Sequence, residues 1–282
     1  MKILQISDIH IKSKYDDQFP SRLHIKAIED ATEGMRNELD AVILTGDLVD
    51  DGDYGDYSSL LMMLQNTYGE ETPILVTPGN HDNREALEDA YYDFRRGKSW
   101  KNSDHLRIYG SFINPGESVI VLETFRKNNM GLTVPGRSIV LMDTGHREYP
   151  YEGLCRITSL YRAAGAEHPP YILFTHMPII RPFHRFMNQP GFTIDDDENV
   201  FVTTLATTGC VAIACGHYHC ESYARSFGIQ QFVAPASQVQ IDPFTKTCNA
   251  SGNYPGYAVI TDNGHIEFLS HYVINDNQAE AK

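Results

Sequence analysis

The sequence predicts an α/β fold built on a mostly parallel sheet. Two observations predict it. Between residues 2 and 83, short apolar strand signals alternate with helix signals three times, which is the signature of right-handed βαβ units. Each of those strands also runs directly into a short segment rich in Gly, Asp, Asn and His, as expected where a site forms at the carboxyl ends of strands in an open sheet.

The elements follow in order. Residues 2–7 form an apolar strand. Residues 22–39 carry Leu23, Ala27, Ile28, Ala31, Met35 and Leu39 at helical spacing. Residues 41–45 are a buried strand, 56–68 a helix and 73–77 another buried strand, and a helix begins near Asn83. Residues 97–118 hold no clear periodicity. Strand signals return at 119–124 and 138–142, a helix at 153–164, a strand at 171–175, a helix at 198–208 and a strand at 211–215. The tail, 229–273, is β-rich. No repeat or low-complexity linker interrupts the chain, so 1–282 reads as a single domain. The segment 178–197, with Pro178, Pro182, Pro190 and Gly191, reads as an active-site loop rather than a linker. The acidic run Asp195, Asp196, Asp197 and Glu198 reads as a solvated cap for the next helix.

Composition narrows the function. The chain has 282 residues, 41% of them hydrophobic, which supplies a sizeable core. A formal net charge of −14 disfavours tight binding to long nucleic acid and attracts divalent cations. The five cysteines form no CxxC pair, so they read as reduced thiols. The apolar N-terminal stretch is too short for a signal peptide or a membrane span. Cleaving a leader would remove Asp8, so the expectation is a complete cytoplasmic chain without membrane association; a homo-oligomer is left open.

Five segments carry the chemistry. They are Asp8-Ile9-His10, Gly46-Asp47, Gly79-Asn80-His81-Asp82, His176 and Gly216-His217-Tyr218-His219. Residues two apart in extended backbone point the same way, so Asp8 and His10 can clasp one ion, and His217 and His219 can face one pocket. A glycine ahead of Asp47, Asn80 and His217 permits close backbone approach. Carboxylate oxygen with imidazole nitrogen, and no thiolate, suits Mn, Fe or Zn.

These motifs, in this order, resemble the calcineurin-like metallophosphoesterase superfamily. The resemblance spans residues 8 to 219. The surroundings Ile-Ser-Asp-Ile-His, Thr-Gly-Asp-Leu-Val-Asp-Asp-Gly-Asp-Tyr and Thr-Pro-Gly-Asn-His-Asp-Asn-Arg are similar to the branch containing class III cyclic-nucleotide phosphodiesterases and glycerophosphodiesterases. Ala234-Pro235-Ala236-Ser237 with Gln238 and Gln240 also fits that branch.

The resemblance implies a four-layer αββα sandwich, mixed β-sheets flanked by helices, and two divalent metal ions. Asp8, His10 and His219 are then expected to hold one ion, Asn80, His176 and His217 the other, and Asp47 to bridge them. His81 matches the catalytic histidine, and Asp82 is expected to orient it. The implied reaction is attack of a metal-bound hydroxide on a small phosphodiester, with His81 serving the leaving group. Arg84 and Tyr218 are substrate candidates, Arg84 for a phosphate and Tyr218 for a base. Asp143 is a candidate acceptor for a metal-facing histidine, and His24 and His184 are further candidates to line the pocket. The rival readings are a nuclease, a phosphomonoesterase or phosphoprotein phosphatase, and a non-catalytic scaffold. The charge opposes the first and the complete ligand set opposes the last.

Overall fold

A computed structural model describes residues 1–12, 21–50, 52–96, 106–109, 119–127, 133–144, 151–164, 169–190, 192–194 and 198–274. Two mixed sheets form the centre. The first has the order β14-β13-β1-β2-β3, from β1 (Lys2–Ile6), β2 (Ala41–Thr45), β3 (Ile74–Thr77), β13 (Gly256–Asp262) and β14 (Ile266–Tyr272). The second has the order β4-β5-β6-β7-β8-β10-β9. Its strands are β4 (Leu106–Tyr109), β5 (Val119–Lys127), β6 (Thr133–Met142), β7 (Tyr171–Phe174), β8 (Cys210–Cys215), β9 (Ser222–Ser226) and β10 (Ile229–Val233). A separate ribbon pairs β11 (Gln240–Ile241) with β12 (Ala250–Gly252).

Alternation along the strands builds the layers. In β6, Ile139 and Leu141 join the core shared with the first sheet, while Val140 and Met142 join the core under the helices. In β7, Ile172 and Phe174 face the first core and Tyr171 and Leu173 the second. The inward residues of β8 are Ala212 and Ala214, small enough to let the sheets approach. The outer faces are covered by α1 (Ser21–Thr32), α2 (Tyr54–Tyr68) and α3 (Arg84–Arg95) on one side, and by α4 (Tyr151–Ala164) and α5 (Glu198–Thr207) on the other. This is the αββα arrangement the resemblance implies.

The strands that lead into the site are parallel within each sheet: β1, β2 and β3 in one, β7 and β8 in the other. Their carboxyl ends therefore share one edge of the sandwich. The C-terminal strands are divided between the sheets, β13 against β1 and β10 against β8.

Some boundaries differ from expectation. The helix expected over 22–39 ends at Thr32 and continues as a 3₁₀ turn, Glu33–Glu38. Thr32 Oγ1 bonds back to the carbonyls of Ile28 and Glu29, and Gly34 follows; both weaken α-helical continuation. Its buried stripe is His24, Ile25 and Ile28, and Leu23 is 71% exposed. Helix α2 begins earlier than read, because Asp53 caps the amides of Gly55 and Asp56 and the Asp56 side chain reaches back to Asp53 N. Strand β4 lies within the stretch read as irregular. Asp195, Asp196 and Asp197 lie outside the described residues.

Candidate metal centre

The turns after β1, β2 and β8 bend sharply. Asp8, His10, Asp47, His217 and His219 all have positive φ, between 50° and 71°. Backbone of that kind is costly for non-glycine residues and accumulates where a site demands it. The neighbouring glycines make the geometry feasible. A Cβ on Gly79 would sit 2.1 Å from Asp47 Oδ1, and one on Gly216 would sit 1.8 Å from Ser7 Oγ. No larger residue fits at either position.

These turns, with those after β3 and β7, bring together all seven expected ligands. Asp8, His10 and His219 present their ligand atoms within 4.8 Å of one another, as do Asp47, His176 and His217. Asp47 lies between the groups: its Oδ2 is 3.7 Å from His10 Nε2 and 3.3 Å from His176 Nε2. Asn80 Oδ1 is 3.0 Å from His176 Nε2. Asp8 Oδ1 is 3.4 Å from His219 Nε2, and both its oxygens accept the His217 amide.

The histidine tautomers follow from the second ring nitrogens. His176 Nδ1 donates to the Thr45 carbonyl at 2.8 Å and His219 Nδ1 to the Val239 carbonyl at 3.0 Å. His10 Nδ1 stands 2.6 Å from Asp50 Oδ1, and His217 Nε2 donates to the Phe192 carbonyl at 2.9 Å. Each ring thus spends one nitrogen on a fixed oxygen and turns the other toward the centre. Metal-binding histidines are commonly oriented in this way.

Electrostatics agree with the geometry. Burial would raise the Asp8 carboxyl, but the charges of His219 and His176 reverse that and hold it at about 2. The same opposition holds Asp47 well below the usual carboxylate range, with His176 its main partner. Burial depresses His176 too, yet Asp47 and Asp8 carry it up to about 9. Two buried carboxylates thus depend on positive charge from the surrounding rings. Bound cations can supply it, and the N/O donor set fits divalent ions of the Mn, Fe and Zn kind.

His81 sits at the rim, its side chain 49% exposed. Its amide donates to Asp47 Oδ1 at 2.9 Å and its Nδ1 lies 3.0 Å from Asp50 Oδ1. The bond to Asp50 raises the His81 pKa against the opposing effect of burial. Asp50, not Asp82, is therefore the carboxylate that orients His81. Asp82 is buried and accepts the amides of Leu48, Val49 and Gly79 and the Tyr57 hydroxyl, fastening two site loops together. Asp50 was legible only as the last residue of Gly-Asp-Leu-Val-Asp; its reach depends on the bridge between Ile11 and Val49, which no sequence pattern displays.

The substrate candidates fall elsewhere. Arg84 makes a bidentate pair with Asp143, at 2.8 and 2.9 Å, so its guanidinium is already committed. Tyr218 is 1% exposed and donates to Asn188 Oδ1 at 2.6 Å, leaving no face for a base. His24 and His184 are buried and do not line the cleft.

Over the centre opens a cleft of about 440 Å³. His10, Asp47, Asn80, His81, His217 and His219 form its floor; Phe186, Met187, Phe192, Val239, Ile241, Cys248 and Ala250 form its walls. Phe186, Met187 and Phe192 come from the described part of the segment 178–197.

Comparison with known proteins places this geometry. The family model described as calcineurin-like phosphoesterase matches residues 1–221. A probable cyclic nucleotide phosphodiesterase of Fibrobacter succinogenes is 25% identical over 249 residues, covering 86% of this chain and 82% of that protein. A probable glycerophosphodiester phosphodiesterase of Arcobacter nitrofigilis is 25% identical over 251 residues, with coverages of 86% and 81%. Among solved structures, a dimetal phosphatase from Danio rerio superposes with a TM-score of 0.59 at 12% identity, covering 97% of this chain and 96% of that one. At that identity the likeness speaks for the fold alone.

Proposed function

Because this chain belongs to the calcineurin-like phosphoesterase family, metal-dependent hydrolases of phosphoric esters, we propose that it is a two-metal phosphodiesterase acting on small diesters, cyclic nucleotides first among them. The observation that carries the reading is Asp47 Oδ2 standing between His10 and His176, each in its own ligand group. Asp8, His10 and His219 would hold one ion, Asn80, His176 and His217 the other, with Asp47 shared. Such a pair supplies Lewis-acid activation of water and neutralises charge on the phosphate oxygens.

The chain's own residues do the rest. The four histidines each commit one ring nitrogen to a fixed oxygen, which leaves the other to serve as a ligand once an ion displaces its proton. His81, held through Nδ1 by anionic Asp50, has Nε2 left for the substrate. From there it gives its proton to the departing oxygen, and the poor alkoxide leaving group of a natural diester needs that help. Asp50 stays ionised throughout and stabilises the imidazolium.

The names of the two bacterial relatives support diesters over monoesters. The test is kcat/KM with Mn for bis-p-nitrophenyl phosphate against p-nitrophenyl phosphate, then for a cyclic nucleotide against its mononucleotide. A diester advantage in both pairs supports the reading, and a monoester advantage in both moves the chain to the phosphatases. Elemental analysis should find about two metal equivalents per chain. No helix among the described residues is long and apolar enough to cross a membrane.

A further inference from the structure

The two histidines that follow β8 each carry one wall of the cleft. His217 Nε2 is bonded to the carbonyl of Phe192, and the Phe192 ring stands against Phe186 with centroids 4.8 Å apart and planes tilted by 44°. His219 holds the other side at two points. Its Nδ1 donates to the Val239 carbonyl, and its own carbonyl accepts the Ile241 amide at 2.8 Å. Ile241 is paired in turn with Ala250 across the β11–β12 ribbon. The hydrogen bonds on these two rings therefore also anchor an aromatic part and an aliphatic part of the cleft lining.

Among the described residues, no lysine or arginine side chain lines this cleft. Among the described residues, the charged groups that line the cleft lie at its floor. An uncharged group hanging on the phosphate beyond the floor gains by leaving water for apolar surroundings. Two phenyl rings on one side favour a flat partner, since ring faces stack with little regard to the partner's identity. A quaternary ammonium group is the other guest for aromatic rings, but phenylalanine is not the best partner for it and Val239, Ile241 and Ala250 add only aliphatic lining.

We propose that Phe186 and Phe192, with Ile241 in the same lining, form the subsite for a flat, uncharged aromatic ester group of the diester, an aryl ring or a nucleobase, and that they set which diesters are cleaved. This rests on the phosphodiesterase reading and assigns its specificity to three residues.

The test uses the Mn-loaded full chain and two diesters with the same leaving group, phenyl p-nitrophenyl phosphate and methyl p-nitrophenyl phosphate. The phenyl ester should have the higher kcat/KM by about tenfold, expressed mainly in KM. Phe186→Ala and, separately, Phe192→Leu should bring the ratio toward unity. The ratio is the readout, so a general loss of activity does not mimic the effect. A second readout needs no turnover: Cys248 is exposed and lines the same cleft. Its alkylation by iodoacetamide, mapped by mass spectrometry, should be slowed by phenyl methylphosphonate and not by methyl methylphosphonate. A ratio near unity in the native chain, a ratio that survives both substitutions, or a preference for glycerophosphocholine over the phenyl ester overturns the proposal. If neither diester is cleaved, the phosphodiesterase reading has failed, and selective protection of Cys248 still decides the subsite.

Discussion

His81 and His10 meet on a single oxygen: Asp50 Oδ1 lies 3.0 Å from His81 Nδ1 and 2.6 Å from His10 Nδ1. One carboxylate thus orients both a metal-facing ring and the ring proposed to serve the leaving group. Its other oxygen meets Lys12 Nζ at 3.0 Å. Burial raises the Asp50 carboxyl, but its bonds to His10, His81 and Lys12 hold it far below its usual range, so it stays ionised. Asp50→Asn keeps the shape and removes the charge. Turnover and Mn affinity should each fall by roughly 10–100-fold. Steady-state kinetics and a Mn titration check this, and unchanged values in both would mean the shared oxygen plays no part.

His81→Ala should separate chemistry from metal binding. His81 belongs to the rim, and all four other rings of the centre keep their acceptors without it. Metal content should be retained while turnover falls by roughly 10²–10⁴. The loss should shrink for p-nitrophenyl esters, whose leaving group needs little proton assistance. Equal losses for good and poor leaving groups would count against proton donation.

Asp47→Ala should behave in the opposite way. Its carboxylate falls in one ligand group with His10 and in another with His176, and its Oδ1 also holds the His81 amide. Metal content and activity should fall together, which elemental analysis beside an activity assay will show. Near-normal turnover with two metals retained would remove Asp47 from its proposed place.

The clustering of the seven proposed ligands was legible because each follows a short apolar strand, and parallel strands deliver such residues to one edge. Roles that depend on contacts between turns were not. Asp82 is adjacent to His81 in sequence, yet its carboxylate turns inward to the amides of another loop. Tyr218 sits between two metal-facing histidines, but its ring packs on His184 and Met187 lies in the same buried cluster. Helix α1 presents Leu23 to solvent because the packing of the first core, not the apolar count, decides which stripe is buried.

The Arg84–Asp143 pair yields a prediction about stability. The two side chains are 10% and 2% exposed. Asp143→Ala leaves a largely buried guanidinium without its partner and should cost about 3–5 kcal/mol, read from denaturant unfolding. Substrate KM should change little, since neither residue lines the cleft. A large rise in KM with intact stability would restore Arg84 as a substrate contact.

His184 gives the chain an acid-sensitive point beside the centre, its ring packed on Tyr218. It is 1% exposed, and its Nδ1 accepts the amide of Met187 at 3.1 Å, which requires that nitrogen to be unprotonated. Burial pushes its pKa down to about 4. Facing it are Asp242, which opposes the shift, and His219, which adds to it. An unfolded histidine titrates near 6.5, so between about 6.5 and 4 the unfolded chain takes up a proton that the folded chain refuses. The folded pKa is the lower one. The stability is therefore fully present above about pH 6.5, is lost as the pH falls toward 4, and levels off below that. The loss should be on the order of 2–3 kcal/mol. His184→Gln keeps an acceptor for Met187 and cannot titrate. Unfolding by urea at pH 7 and at pH 4.5, in native and variant chains under the same metal conditions, should show a smaller acid loss in the variant. Equal losses in the two would mean that His184 is not the group through which acid acts on this loop.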